Sequence, residues 1–185
     1  MTVTPSAPSF ESAISQARTF LDRLQAGSLP ETDITEIVAA LVGTVAGARG
    51  FFVVYLTDER SLLDQPQAAV MKGLRQHPEV VGDLLVKNLA MSSAMALHHQ
   101  RNNDGVIALK SQRASRRAAT LIQTLELDNT GSRLEQLQAT IAAGRGQYTD
   151  FLNRWGYDAE QQQAIAEAIA PLLTDRPDMG GGGGQ

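Results

Sequence analysis

Apolar residues recur along most of this chain at intervals of three and four, the spacing that lines one face of an α-helix. Phe10, Ala13, Ile14, Ala17, Leu21 and Leu24 make the first such stripe. Ser9 stands where a helix needs a side-chain cap, Gly27 where it needs a stop, and Pro30 marks the loop beyond. Pro5 and Pro8, set among small residues, predict a loose tail over residues 1–8.

The next segment supports two readings. Ile34, Val38, Leu41 and Val45 form a helical stripe, and Gly47-Ala48-Arg49-Gly50 then leads into the apolar run Phe51–Leu56. Taken alone, that run has the look of a buried strand. At 100° per residue, however, Ala48, Phe52 and Leu56 fall on the stripe already set by Leu41 and Val45. The phase predicts one long helix from about Asp33 to Thr57. Gly43, Gly47 and Gly50 then share the opposite face, where a second helix can come close. Residues 37–56 carry a single charge, Arg49. A stretch of that length can span a bilayer, but the buried arginine argues against it and for a core helix.

The remaining breaks are sharper. Asp64 and Pro66 open a short helix that runs to about Gln76, and His77-Pro78 starts a long one ending near Arg101. Asn102-Asn103-Asp104-Gly105 is the strongest turn in the chain and precedes a helix to about Leu127. Asp128–Gly131 reads as another turn, followed by a capping box of Ser132 with Glu135 and the stripe Leu134, Leu137, Ile141. A short helix carries Tyr148, Phe151, Leu152 and Trp155, and Gly156 stops it. Asp158 with Gln161 resembles a second capping box, opening a last helix through Ile165, Ile169 and Leu172. The sum is an all-α, single-domain bundle of six to eight helices over residues 9–177, with flexible tails at 1–8 and at the Gly-rich 178–185.

Composition narrows the function classes. The chain has 185 residues, 43% of them apolar, enough for one self-sufficient core. A formal charge of −4 gives no global pull toward nucleic acid. Cysteine is absent, which removes disulfides, thiolate metal sites and cysteine nucleophiles, and fits a reducing compartment. Residues 1–9 lack the cationic and apolar regions of a signal peptide. No phosphate loop, dinucleotide fingerprint, zinc-protease helix, calcium loop or nucleophile elbow is present. His98 and His99 are adjacent and so point about 100° apart on a helix, a poor arrangement for one metal. No cofactor or metal is expected.

Two groups of residues stand out. In the long helix after Pro78, Asn88, Ser92 and His99 project from the arc that also holds Leu84, Leu85, Leu89, Met91 and Met95. Buried polar groups need partners. Either they are satisfied within the bundle or they line a pocket for a small apolar ligand or pigment. The second group is basic. Gly105–Leu125 contains no acid but has Lys110, Arg113, Arg116 and Arg117 on one arc, separate from an apolar arc of Ala114, Ala118, Leu121, Ile122 and Leu125. This arc is either a solvated outer face or a docking face for an acidic protein surface. Nucleic acid is the poorer match, because no aromatics interleave for stacking.

The stretches LLVKNLAMSSAMALHHQRN (residues 84–102) and FLNRWGYDAEQQQAI (residues 151–165) resemble a conserved, uncharacterised helical protein family of cyanobacteria and plastids. The resemblance brings no named activity and no functional residue. It implies a cytoplasmic protein, stromal if plastid, linked to the photosynthetic apparatus. Residues and resemblance together set the expectation of a non-enzymatic assembly or regulatory factor. An apolar-ligand bundle is the alternative, and integral membrane insertion is not expected.

Overall fold

A computed structural model describes residues 8–174. Among them are nine α-helices, one 3-10 turn and no strand. In chain order the helices are α1 (Phe10–Gln25), α2 (Glu31–Val42), α3 (Val45–Thr57), α4 (Ala68–Leu74), α5 (Pro78–Arg101), α6 (Gly105–Leu125), α7 (Asp128–Ala143), α8 (Thr149–Trp155) and α9 (Ala159–Thr174). The 3-10 turn, Ser61–Asp64, lies between α3 and α4. Apart from Pro8, the two expected tails lie outside the described residues.

The run Phe51–Leu56 is helical, as the phase predicts, but the expected single helix from Asp33 to Thr57 is two. Gly43 ends α2. Thr44 then turns to extended backbone at φ −133° and ψ 157°, and its hydroxyl accepts the Gly47 N–H at 3.1 Å. A threonine that can satisfy an orphan donor makes a new start cheaper than continuing through Gly43. Val45, placed by phase on the buried stripe, is 58% exposed, and the helix count rises to nine. The expected close-approach face also divides. A Cβ on Gly50 would lie 2.6 Å from the Ala13 Cβ, so α1 does pack against this glycine, whereas Gly43 is exposed. Residues 37–56 therefore hold no continuous span. One helix, α5, is long and apolar enough to cross a membrane by length and composition, and half of that stretch is buried inside the bundle.

Most of the expected boundaries hold. Ser9 accepts the Ser12 N–H, Gly27 takes φ +63°, and Pro78 opens α5. Asp158 and Gln161 form a reciprocal box, each side chain bonded to the other's backbone N–H at 2.9 and 3.1 Å. Two boundaries move. The helix after Asp64 shortens to Ala68–Leu74 behind the 3-10 turn. α7 begins at Asp128, so Asp128–Gly131 is its first turn and not a loop. Glu126, at φ +49°, makes the reversal from α6 instead. Asn129 then reaches across to α5, donating to the Pro78 carbonyl at 3.1 Å, with its amide seated where a Cβ on Gly82 would stand.

α5 is the central helix. It forms an antiparallel hairpin with α6, joined in the interior by the Ser93 and Ser115 hydroxyls at 2.9 Å. α7 and α9 cover its other sides. α9 starts beside the end of α5: Arg101 pairs with Asp158 and Glu160, and Gln161 donates to the Ala94 carbonyl at 3.2 Å. α1 packs on α3 and α2 on α4, and α6 ties these helices to the rest through α3. Phe20, Phe51, Phe52 and Tyr55 are fully buried, with the Phe51 and Tyr55 rings stacked at 5.2 Å.

Candidate functional site: the outer stripe of α6

α6 begins cleanly because Asp104 accepts the Ile107 N–H at 3.3 Å. The five residues of its expected apolar arc, Ala114, Ala118, Leu121, Ile122 and Leu125, are all buried. That fixes the rotation of the helix and decides where each basic side chain goes.

The four basic residues do not share one fate. Arg117 is 3% exposed and leaves the expected outer face. It stands at the border of the buried arc, opposite the end of α3, where the last carbonyls of that helix have no partner along the chain. Its Nη1 donates to the carbonyls of Tyr55 at 3.1 Å and Asp58 at 2.6 Å, and Nη2 to that of Arg60 at 2.8 Å. Nε donates to the Asp64 carboxylate at 2.8 Å. A five-donor planar fork at the negative end of a helix dipole suits arginine and no other side chain. Arg117 is thus a structural clamp and not a partner-binding residue. Burial pushes the neighbouring Tyr55 hydroxyl up to about 12, with the Arg117 charge pulling it down and Asp64 pushing it up.

Of the other three, Lys110 and Arg116 are exposed and Arg113 is half-buried. Lys110 faces Glu59 at 3.5 Å, an exposed pair of small energetic consequence. The Arg113 Nη1 is itself buried and has no hydrogen-bond partner among the described residues. Arg116 is exposed and pairs with no acid among them. By contrast, Arg60, Arg101 and Arg133 each engage two carboxylates of this chain.

The same stripe carries an apolar turn. Val106 is 69% exposed and Leu109 is 62% exposed, with Ile107 also in solvent beside them. Val106, Leu109, Arg113, Arg116 and Thr120 follow one another at spacings of three and four, so all five lie on one line along the helix. The spacing is visible in the sequence. That the apolar members face water is not, because Val106, Ile107 and Leu109 read equally well as core.

Asn88, Ser92 and His99 are half-buried on α5. The Asn88 amide donates to the Leu84 carbonyl at 2.8 Å and the Ser92 hydroxyl to that of Asn88 at 2.6 Å, each one turn back along their own helix. His99 lies edge-on to His98 at 5.4 Å. An open cleft of about 460 Å³ at the end of α5 is lined by Arg101, Asp158, Ala159 and Glu160. Its charges already pair with each other. The Arg101 hydrogen bond, with help from the Gln161 backbone, holds the Asp158 carboxyl below its usual range.

Residues 9–172 match the family described as Uncharacterised conserved protein UCP020893. The chain belongs to this family. Comparison with curated proteins and with solved structures yields no match.

Proposed function

We propose that this chain is a non-enzymatic interaction protein, an assembly or regulatory factor, that holds an acidic protein surface against the outer stripe of α6. One observation carries the proposal. Arg113 and Arg116 stand one turn apart, the first half-buried and the second exposed, without a carboxylate partner among the described residues, on a helix of 21 residues with no acid of its own. Solvated faces ordinarily mix both signs. A planar guanidinium binds a carboxylate through two parallel hydrogen bonds, and two of them one turn apart select a surface with matching acids. The work is placed in the cytoplasm, or in the stroma for a plastid member, a placement supported by the absence of cysteine. The link to the photosynthetic apparatus rests on the resemblance of residues 84–102 and 151–165 alone.

The test is affinity capture from native extract with the wild-type chain and with an Arg113→Glu/Arg116→Glu variant, each confirmed folded by circular dichroism. Wild type should recover an acidic protein whose yield falls as salt is raised. The variant should recover none of it. Equal recovery by both would leave the stripe as a solvated face.

A further inference from the structure

The outer stripe of α6 has two unlike turns, and their order is informative. Val106 and Leu109 form an exposed apolar turn. Arg113 and Arg116 form the basic turn that follows, one heptad later, about 10 Å along the axis. Spacings of three, four and three are those of a coiled-coil seam, in which each side chain seats between residues of a facing helix. The five residues keep this register with no element of the described chain laid over Val106 or Leu109.

Charge chooses among the possible occupants. A second copy in parallel would set Arg113 against Arg113 and Arg116 against Arg116. An antiparallel copy would set the apolar turn of each against the arginines of the other. Both arrangements bury guanidinium groups without carboxylates, a cost that selects against self-pairing. A lipid surface would suit the apolar turn, but Glu59 and Asp104 flank it and Lys110 is already paired with Glu59. We infer that the stripe docks an amphipathic helix of a partner protein, with two apolar residues meeting Val106 and Leu109 and, one heptad away, two acidic residues meeting Arg113 and Arg116. Helix-on-helix recognition of this kind takes affinity from the apolar anchors and register from the charges. The inference rests on the proposed acidic partner and adds to it the partner's secondary structure and the order of its residues.

The probe is a synthetic helix-stabilised peptide of about 20 residues, long enough to stay helical, carrying two leucines and two glutamates at those heptad positions. Two control peptides replace the glutamates by lysine or the leucines by serine. Binding to the full chain is followed by fluorescence anisotropy. The leucine–glutamate peptide should bind, and Val106→Ser/Leu109→Ser should weaken it about tenfold or more. Arg113→Glu/Arg116→Glu should reverse the preference toward the lysine peptide. Val106, Leu109 and Arg116 are exposed and Arg113 is half-buried with its Nη1 unpartnered among the described residues, so both variants should keep the wild-type dichroism spectrum. Absence of binding at roughly millimolar peptide, or equal binding of the serine control, overturns the inference. So does flotation with phosphatidylcholine–phosphatidylserine vesicles by a chain that ignores the peptide. In native capture, loss of the acidic partner with the glutamate variant but not with the serine variant sinks the helical partner and leaves the acidic one standing. Indifference to both variants sinks both.

Discussion

Arg116 and Arg117 are neighbours in sequence with opposite surroundings. Arg117 spends every guanidinium nitrogen inside the molecule, on the carbonyls of Tyr55, Leu56, Asp58 and Arg60 around the end of α3 and on Asp64. Arg116 projects into solvent and meets no acid among the described residues. One step of about 100° around α6 separates a side chain that holds the fold from one that is free to hold something else. The difference teaches that like charges on one helix do not make one surface. A long side chain near the rim of a buried arc turns inward when unsatisfied backbone lies within its reach, and the carbonyls at a helix end are such a target.

The largest effect should come from cutting the inner side. Arg117→Met leaves the Tyr55 and Asp58 carbonyls without their donor, and urea unfolding should show a loss of about 3 kcal/mol or more. Arg117→Lys should recover only part of that, since one ammonium cannot reach the Asp58 carbonyl and Asp64 together. A loss under about 1 kcal/mol for the methionine variant would show that the clamp is ornamental and that the two arginines are alike after all.

A second effect is readable in alkali. Tyr55 is raised to about 12, so its contribution is fully present below the unfolded value near 10 and is lost as pH climbs through 12. Tyr157, raised to about 12 by burial, loses its share in the same window. Tyr55→Phe should make stability decline less steeply there, by up to roughly 2 kcal/mol at the top of the range. An unchanged alkaline profile would mean that the interior beside Arg117 opens before the tyrosine ionises.

Asp64→Asn tests the carboxylate end of the clamp. Asp64 is more than half exposed, so its pair with Arg117 is screened and the loss should be about 1 kcal/mol. The smallest effect belongs to the outer side: Arg116→Glu, at an exposed position, should change the unfolding free energy by less than about 0.5 kcal/mol, as surface changes do. A loss comparable to that of Arg117→Met would erase the distinction between the two sides of α6.

Periodicity and caps already specified much of this molecule. The starts and stops at Ser9, Gly27, Pro78, Asp104, Gly156 and the Asp158–Gln161 box need only neighbours within five residues, so the sequence determines them. The same holds for the buried arc of α6, because the rotation of a helix follows its own apolar spacing. Phase went further than it could on α2 and α3, since the angular agreement of Leu41, Val45 and Phe52 did not outweigh a local cap at Thr44.

What only the tertiary structure decided depends on groups far apart in the chain. Asn129 enters α7 because the Pro78 carbonyl and the space over Gly82 lie some fifty residues earlier. Arg117 turned from a surface charge into a clamp because the end of α3 came to rest beside it. Val106 and Leu109 stayed in water because no helix among the described residues covers the start of α6. Hydrophobicity tells which residues prefer burial, but the folded chain has less interior than it has apolar surface. Which apolar residues remain outside is settled only when the helices have packed.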